Sequence, residues 1–326
     1  MTKRRSRLAI ALAGLLLLVG CGQKSSDTSG SAGTAKEGVS IGVIQLAPHN
    51  ALDQSYQGFL DGLAEAGYVE GKNLKLDFNN ALGDPSNATT IAQKLVNEKP
   101  DLIFAIATPS AQAAANQTSD IPIVITAVTD PEQSGLVESN ARPGGNVTGT
   151  SDLTPVADQI ALLKQLVPEA KRVGVLFSSS EDNSIIQARL AREAIEANGL
   201  EYVELTVTKT DEIVSVTQSV LGKVDALYVP TDNLISANMG AVTGVTTPAG
   251  LPVICGEAAM LESGGLATTG IDYYKLGKQS AQMAASILKG ELQPAEMPIQ
   301  YQEEKTLSIN EEVAKELGIE LPSGLK

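Results

Sequence analysis

The chain has 326 residues, 43% of them hydrophobic, which is enough for two α/β lobes with their own cores and too apolar for a disordered protein. Its 38 Asp and Glu outweigh 24 Lys and Arg, and a surface of that sign repels nucleic-acid phosphates and anionic lipid headgroups. One histidine, His49, and two cysteines, Cys21 and Cys255, offer neither a zinc ligand set nor a Ser-His-Asp triad.

The first segment reads as a processing signal. Lys3, Arg4, Arg5 and Arg7 precede an apolar run from Leu8 to Val19 that is short for a membrane span. The run ends in LVGC, with Gly20 before Cys21, and resembles a bacterial lipobox. Residues 1–20 are therefore expected to be a lipoprotein signal peptide, with Cys21 as the lipidated N-terminus of an extracytoplasmic, membrane-anchored protein. Residues 21–38, polar and rich in Gly and Ser, are expected to be a flexible tether. Without the four leader cations the mature chain carries 20 basic against 38 acidic residues. Cys255, alone after Cys21 and inside the apolar GLPVICGE, reads as a buried inert thiol.

Beyond residue 38 the pattern repeats. VSIGVIQL, NLKLDF, DLIFAIA and IPIVITAV read as strands, separated by the helical spacing of SYQGFLDGLAEAG and NATTIAQKLVNEK and by the alanine-rich segment after Thr108-Pro109-Ser110. KRVGVLF, EYVELTV, DALYVP and LPVICG follow in the same order, alternating with SIIQARLAREAIEANG, DEIVSVTQSVLGK and TDNLISANM. Apolar strands alternating with helices imply parallel sheets covered on both faces, with ligands held outside the carboxyl ends of the strands. ARPGGNVTGTSD, residues 141–152, joins the halves and reads as a hinge. The expected first lobe is 39–150 plus about 268–295, including a long returning helix in GIDYYKLGKQSAQMAASILKG; the second is 151–267 plus about 296–326.

Five segments carry a family likeness: ATPSAQ (107–112), VTDP (128–131), RPGGNVTG (142–149), PTDN (230–233) and IDYYKLGKQ (271–279). With them the chain resembles the substrate-binding lipoproteins of ABC transporters that have a type I periplasmic-binding fold, in the subgroup linked to tryptophan, tyrosine and other aromatic amino acids. The resemblance implies two Rossmann-like lobes joined by a multi-strand hinge around a ligand cleft. It also implies a monomer that captures a small solute without chemistry or cofactor and hands it to a permease and its ATPase.

On that layout the Thr-Pro-Ser break begins a helix at the cleft edge. Thr108 would be the N-cap, Pro109 the first helical residue and Ser110 the second. Free backbone N–H groups and the positive helix end suit a ligand carboxylate, whereas plain capping is the rival reading. Thr231, Asp232 and Asn233 form the matching turn of the second half, and Asp232 or Asn233 could be purely a cap. A ligand ammonium requires an acid, with candidates Asp130 beside Thr129 in VTDP, Glu257 in CGEAAM and Asp272 in GIDYY; Asp130 before Pro131 could instead simply make a turn. Tyr273 and Tyr274 are candidate stacking surfaces, of which only one can face the cleft if the segment is extended. Gln45 ends the first strand toward the same cleft, His49 and Asp53 lie in the following loop, and SSSEDNS opposite could be a solvated loop. An exported hydrolase is disfavoured by the lone histidine and the lack of a G-x-S-x-G elbow. PGGNVTG fits neither nucleotide-binding glycine pattern. Another small carboxylate, an aliphatic amino acid or a peptide remains open as ligand, as does a sensing role for a membrane receptor.

Overall fold

The computed structural model describes residues 38–325; the leader, Cys21 and the tether up to residue 37 lie outside the described residues, as does Lys326. The first lobe is built from β1 (Val39–Gln45), α1 (Asn50–Glu65), β2 (Leu74–Asn80), α2 (Pro85–Glu98), β3 (Leu102–Ile106), α3 (Thr108–Ala115), β4 (Ile123–Val128) and β5 (Val147–Ser151). Its strands form an all-parallel sheet in the order β2-β1-β3-β4-β5. Every residue of β3, β4 and β5 is buried, which is why they read as unbroken apolar or small-residue runs.

The second lobe follows with α4 (Val156–Leu166), β6 (Arg172–Ser178), α5 (Asp182–Ala197), β7 (Glu201–Val207), α6 (Ile213–Ser219), β8 (Ala226–Val229), α7 (Asn233–Ser236), α8 (Met239–Thr246), β9 (Val253–Cys255) and β10 (Ala267–Gly270). Then α9 (Tyr273–Leu288) returns to the first lobe, and β11 (Thr306–Ile309) and α10 (Glu311–Glu316) end on the second. The second sheet has the order β11-β10-β9-β8-β6-β7; only its edge pair, β10 with β11, is antiparallel. The two-lobed α/β architecture expected from the strand and helix alternation is the one observed. Among the described residues no helix is long and apolar enough to cross a membrane.

The junction differs from the expectation in a way that packing explains. Residues 147–151 are not a loose hinge but the edge strand β5, and Gly149, at φ 146°, lies where a methyl group would fall 2.1 Å from the Ile125 carbonyl oxygen. Close approach, rather than flexibility, requires that glycine. Residues 268–270 pair with β11 in the second sheet, while Met297 and Ile299 pack in the first core. The chain thus crosses between lobes after Ser151, after Gly270 and after Gln300. The crossings are stitched together: the Ser151 amide donates to Gln300 O at 2.8 Å, and the Gln302 side chain brackets Asp272 with two 2.8 Å hydrogen bonds.

Helix α9 joins the first lobe through a glycine contact with α1. A methyl group at Gly58 would stand 2.0 Å from the Tyr274 carbonyl oxygen, and one at Gly277 would stand 1.9 Å from that of Ser55. The backbones therefore touch, and the Asp272 side chain caps α9 by accepting from the Lys275 amide at 3.0 Å. Tyr273 heads this helix, so the contact also sets its position. Gly277→Ala should force the helices apart and destabilise the protein by about 1–3 kcal/mol, read by urea unfolding.

Candidate functional site

The carboxyl ends of both sheets meet at one cleft, and the turns that follow the strands supply its walls. In the first lobe β4 leaves regular register between Ile125 and Val128, where Ala127 takes φ 53°. That irregularity turns Ala127 and Thr129 toward the cleft. One strand over, Ala107 adopts φ 81° and ψ 152°, a conformation costly for any residue with a side chain. Two strained residues at adjacent strand ends mark the place where the backbone is bent for position.

A cavity with about 250 Å³ of empty space, part of it open to solvent, lies between the lobes. His49, Leu52, Ala127 and Thr129 line it from the first lobe, Asp152 from the crossing after β5, and Tyr273 from α9. Asn183, Thr231, Asp232, Asn233, Ser236 and Glu257 line it from the second. Hydrogen bonds bridge the lobes around it: His49 Nε2 to Asn233 Oδ1 at 3.3 Å, Gln187 Nε2 to Thr129 Oγ1 at 3.2 Å, Gln112 Nε2 to Asp182 Oδ2 at 2.7 Å and Asn50 Nδ2 to Glu262 Oε2 at 2.8 Å. Arg189 also donates to Gln133.

The cavity is acidic, and neither Lys nor Arg lines it. Asp152, 4% exposed, accepts from Thr129 at 3.1 Å and from the Tyr273 hydroxyl at 2.7 Å. Burial pushes its carboxyl up to about 6 in spite of those donors. Glu257, 2% exposed, accepts from Ser236 through Oε1 at 2.8 Å, while Oε2 is buried without a partner. Burial pushes Glu257 up to about 7, helped by the charges of Asp152 and Glu262 and opposed by the Ser236 bond. Behind the lining, Glu181 accepts from Asn233 and Asn183 and from the Leu234 amide; burial and the nearby Asp232 push it up to about 7. Neither Lys nor Arg is among the lining residues. Several carboxyl groups desolvated together without a cation are costly, and the natural remedy is a cationic ligand.

The expected site residues divide accordingly. Thr129, Thr231, Asp232, Asn233, Glu257 and Tyr273 come together at the cavity. Asp232 caps α7, accepting from the Ile235 amide at 2.8 Å and from Ser178 N at 2.5 Å, so its carboxylate is occupied by the fold. Asp130 is outside: the Glu132 and Gln133 amides, the Gln133 side chain and Asn140 take its oxygens, the turn-forming arrangement. Asp272 is the α9 cap. Tyr273 and Tyr274 do not sit in an extended segment but in the first turn of α9, which sends the Tyr274 hydroxyl to Asp61 at 2.8 Å, away from the cavity. Gln45 is fully buried and spends its amide on Ala47 O at 2.9 Å and Asp53 Oδ1 at 2.7 Å, leaving Oε1 unpartnered.

At the Thr-Pro-Ser break the helix begins one residue earlier than expected. Ala107 is the N-cap, Thr108 the first helical residue, Pro109 the second and Ser110 the third, because the left-handed turn at Ala107 already reverses the chain. No side chain caps this helix, and the Thr108 and Ser110 hydroxyls are buried without partners. Thr108, Pro109 and Ser110 are not among the residues that line the cavity. Asp152, Asn183, Ser236 and the supporting Glu181 and Gln187 were not singled out. Glu181 and Asn183 belong to the polar SSSEDNS segment, and what distinguishes it from a solvated loop is burial at the start of α5, which composition does not display.

Comparison with known proteins agrees with this geometry. Residues 40–326 match the ABC transporter substrate binding protein family. A tyrosine-binding protein of Clostridioides difficile is 40% identical over 98% of this chain and 94% of its own length. A Streptococcus pneumonia domain solved in complex with L-Trp superposes with a TM-score of 0.86 at 40% identity, over 89% of this chain and 97% of that one. The ligand-free, open structure of a substrate binding protein with adhesive properties from Clostridium difficile gives only 0.68 at 44% identity, over 87% and 96%. Higher identity with poorer superposition fits a difference in lobe arrangement, consistent with the interlobe hydrogen bonds of a shut cleft. With two lobes of the type I periplasmic-binding fold and this likeness over nearly its whole described length, the chain belongs to the ABC transporter substrate-binding proteins.

Proposed function

We propose that this protein captures an aromatic amino acid, L-tyrosine or L-tryptophan, in the interlobe cleft and delivers it to an ABC permease and its ATPase. Glu257 receives the ammonium group, with Asp152 beside it. The Thr108 and Ser110 hydroxyls and the first turn of α3 receive the carboxylate, and Tyr273 packs on the side chain. The observation that carries this reading is the buried, unpartnered Oε2 of Glu257 in an acidic cavity lined by neither Lys nor Arg. The relatives named for tyrosine and solved with L-Trp support the choice of solute. The chain works as a monomer on the extracytoplasmic face, held to the membrane by lipid on Cys21; the leader sequence and LVGC motif support that placement.

A thermal-shift screen of residues 22–326, refolded to strip carried-over solute, against the twenty amino acids tests the reading. Tyrosine or tryptophan at 100 times its Kd should add about 2.7 kcal/mol of stability. No shift with any amino acid would remove the ammonium-and-carboxylate account. Thr108→Val combined with Ser110→Ala should weaken binding by roughly tenfold, about 1.4 kcal/mol, in calorimetric titration.

Glu257 makes a two-sided prediction. Its carboxyl is raised from an ordinary 4.5 to about 7 in the folded protein. The native state therefore keeps a proton that the unfolded chain releases, and stability from this group is lost as pH rises from about 4.5 to 7. Glu257→Gln removes that loss, so at pH 8 the solute-free variant should be more stable than wild type by about 2 kcal/mol in urea unfolding. The same variant should bind the solute roughly a hundredfold more weakly.

A further inference from the structure

His49 is the cavity residue that the solute reading leaves without a task. It stands at the entrance to α1, and its ring reaches across the cleft to Asn233 of the opposite lobe at 3.3 Å. Which ring nitrogen carries the proton follows from the partners. The Asn233 amide group donates through Nδ2 to Glu181 Oε2 at 2.5 Å, which turns Oδ1 toward the ring. Since Oδ1 only accepts, Nε2 must donate, and in the neutral ring Nδ1 is then the bare acceptor nitrogen. Nδ1 is buried with no partner. A second proton there would be an N–H shut in the cleft with nothing to receive it.

We propose that His49 is an interlobe latch that fits the shut cleft only in its neutral form, so that capture of the solute expels a proton from its ring and acid favours the open protein. The groups facing the ring are Asp53 on its own helix, Asp232 and Glu181 around Asn233, Glu257 and Glu262 on the far wall, and Asp152 with Tyr273 at the crossing. Ionised carboxylates would favour the imidazolium, but Asp152, Glu181 and Glu257 are themselves driven toward their neutral forms by burial. Burial prevails at the ring as well, taking it from 6.5 down to about 4 against the Asn233 bond and the Asp53 charge. In the open protein the ring meets water and titrates near its ordinary value. Closing below that pH costs the proton, and by linkage acid weakens binding.

The latch rests on the solute reading only for its probe. Calorimetric titration of the mature chain with L-tyrosine and L-tryptophan at pH 8 and 5.5, in buffers of different ionisation enthalpy, compares wild type with His49→Gln, whose amide can still donate to Asn233 but does not titrate. At pH 8, where the ring is neutral in the open and the shut protein alike, the affinity of each protein serves as its own reference. Toward pH 5.5 both should weaken through Glu257, with wild type losing roughly tenfold more, the penalty one unit below pH 6.5. At pH 6 wild type should release roughly three-quarters of a proton more on binding. Parallel pH profiles of wild type and variant would overturn the latch. If neither amino acid binds wild type, the solute reading fails and small-angle scattering of the free chain decides the latch. Expansion between pH 8 and 5 in wild type but not in His49→Gln supports it; expansion in both or in neither overturns it.

Discussion

Carboxyl groups withdrawn from water without a cation govern this molecule. Asp152, Glu257, Asp232 and Glu181 are all buried and are met by hydroxyls, amides or helix ends, with Glu257 Oε2 left unpartnered. Neutral donors stabilise a carboxylate only in part, so the shut cleft is electrostatically unfinished. A receptor must be so: a site already neutralised by its own lysine would gain little from a ligand's ammonium. The strained residues Ala107 and Ala127 and the close contact between α1 and α9 belong to the same economy. Stability is given up where position matters, and restored in cores whose strands are fully buried.

Closure converts local chemistry into a signal. The interlobe hydrogen bonds come from loops and helices at the cleft rather than from strands, elements that separate without disturbing either core. Their individual worth is small, since two of the four join neutral side chains and the two to Glu262 and Asp182 are exposed to solvent. A shut state supported by many weak bonds lies close in free energy to an open one, so modest differential interactions can decide between them, which suits a protein that must be read as loaded or empty.

Much of this was legible in the sequence because both lobes advertise themselves through period and punctuation. Buried strands such as DLIFAIA and IPIVITAV are almost wholly apolar, and the repeated order of strand and helix in two halves implies two sheets. The cleft-facing turns PTDN and CGE were reachable from the rule that ligands sit outside strand carboxyl ends. What stayed hidden depended on direction or burial. Asp130 and Asp272 look like Glu257 as letters, yet two make turns or caps and one is left with a free oxygen. Tyr274 differs from Tyr273 by a single helical step, which at 3.6 residues per turn is enough to move it off the cavity. The hinge glycines misled for a related reason: at Gly149 glycine serves proximity, and sequence alone does not separate that use from flexibility.

The return of α9 to the first lobe has a consequence for how the chain acquires its structure. The first core includes Leu276, Ala281 and Ala284, which follow the whole second-lobe sequence up to β10, while the second sheet gains its last strand only with β11. Neither lobe is therefore complete when the ribosome has passed its apparent end, and neither is an autonomous unit in synthesis. A nascent chain stopped between them would expose the face of α1 that α9 covers. Folding must wait for nearly the full length, with contacts of high sequence separation and correspondingly slow formation. A gene fragment coding for the first lobe alone would thus yield an aggregation-prone half, whereas the same fragment supplied with residues 271–299 as a separate peptide has the pieces it needs to assemble.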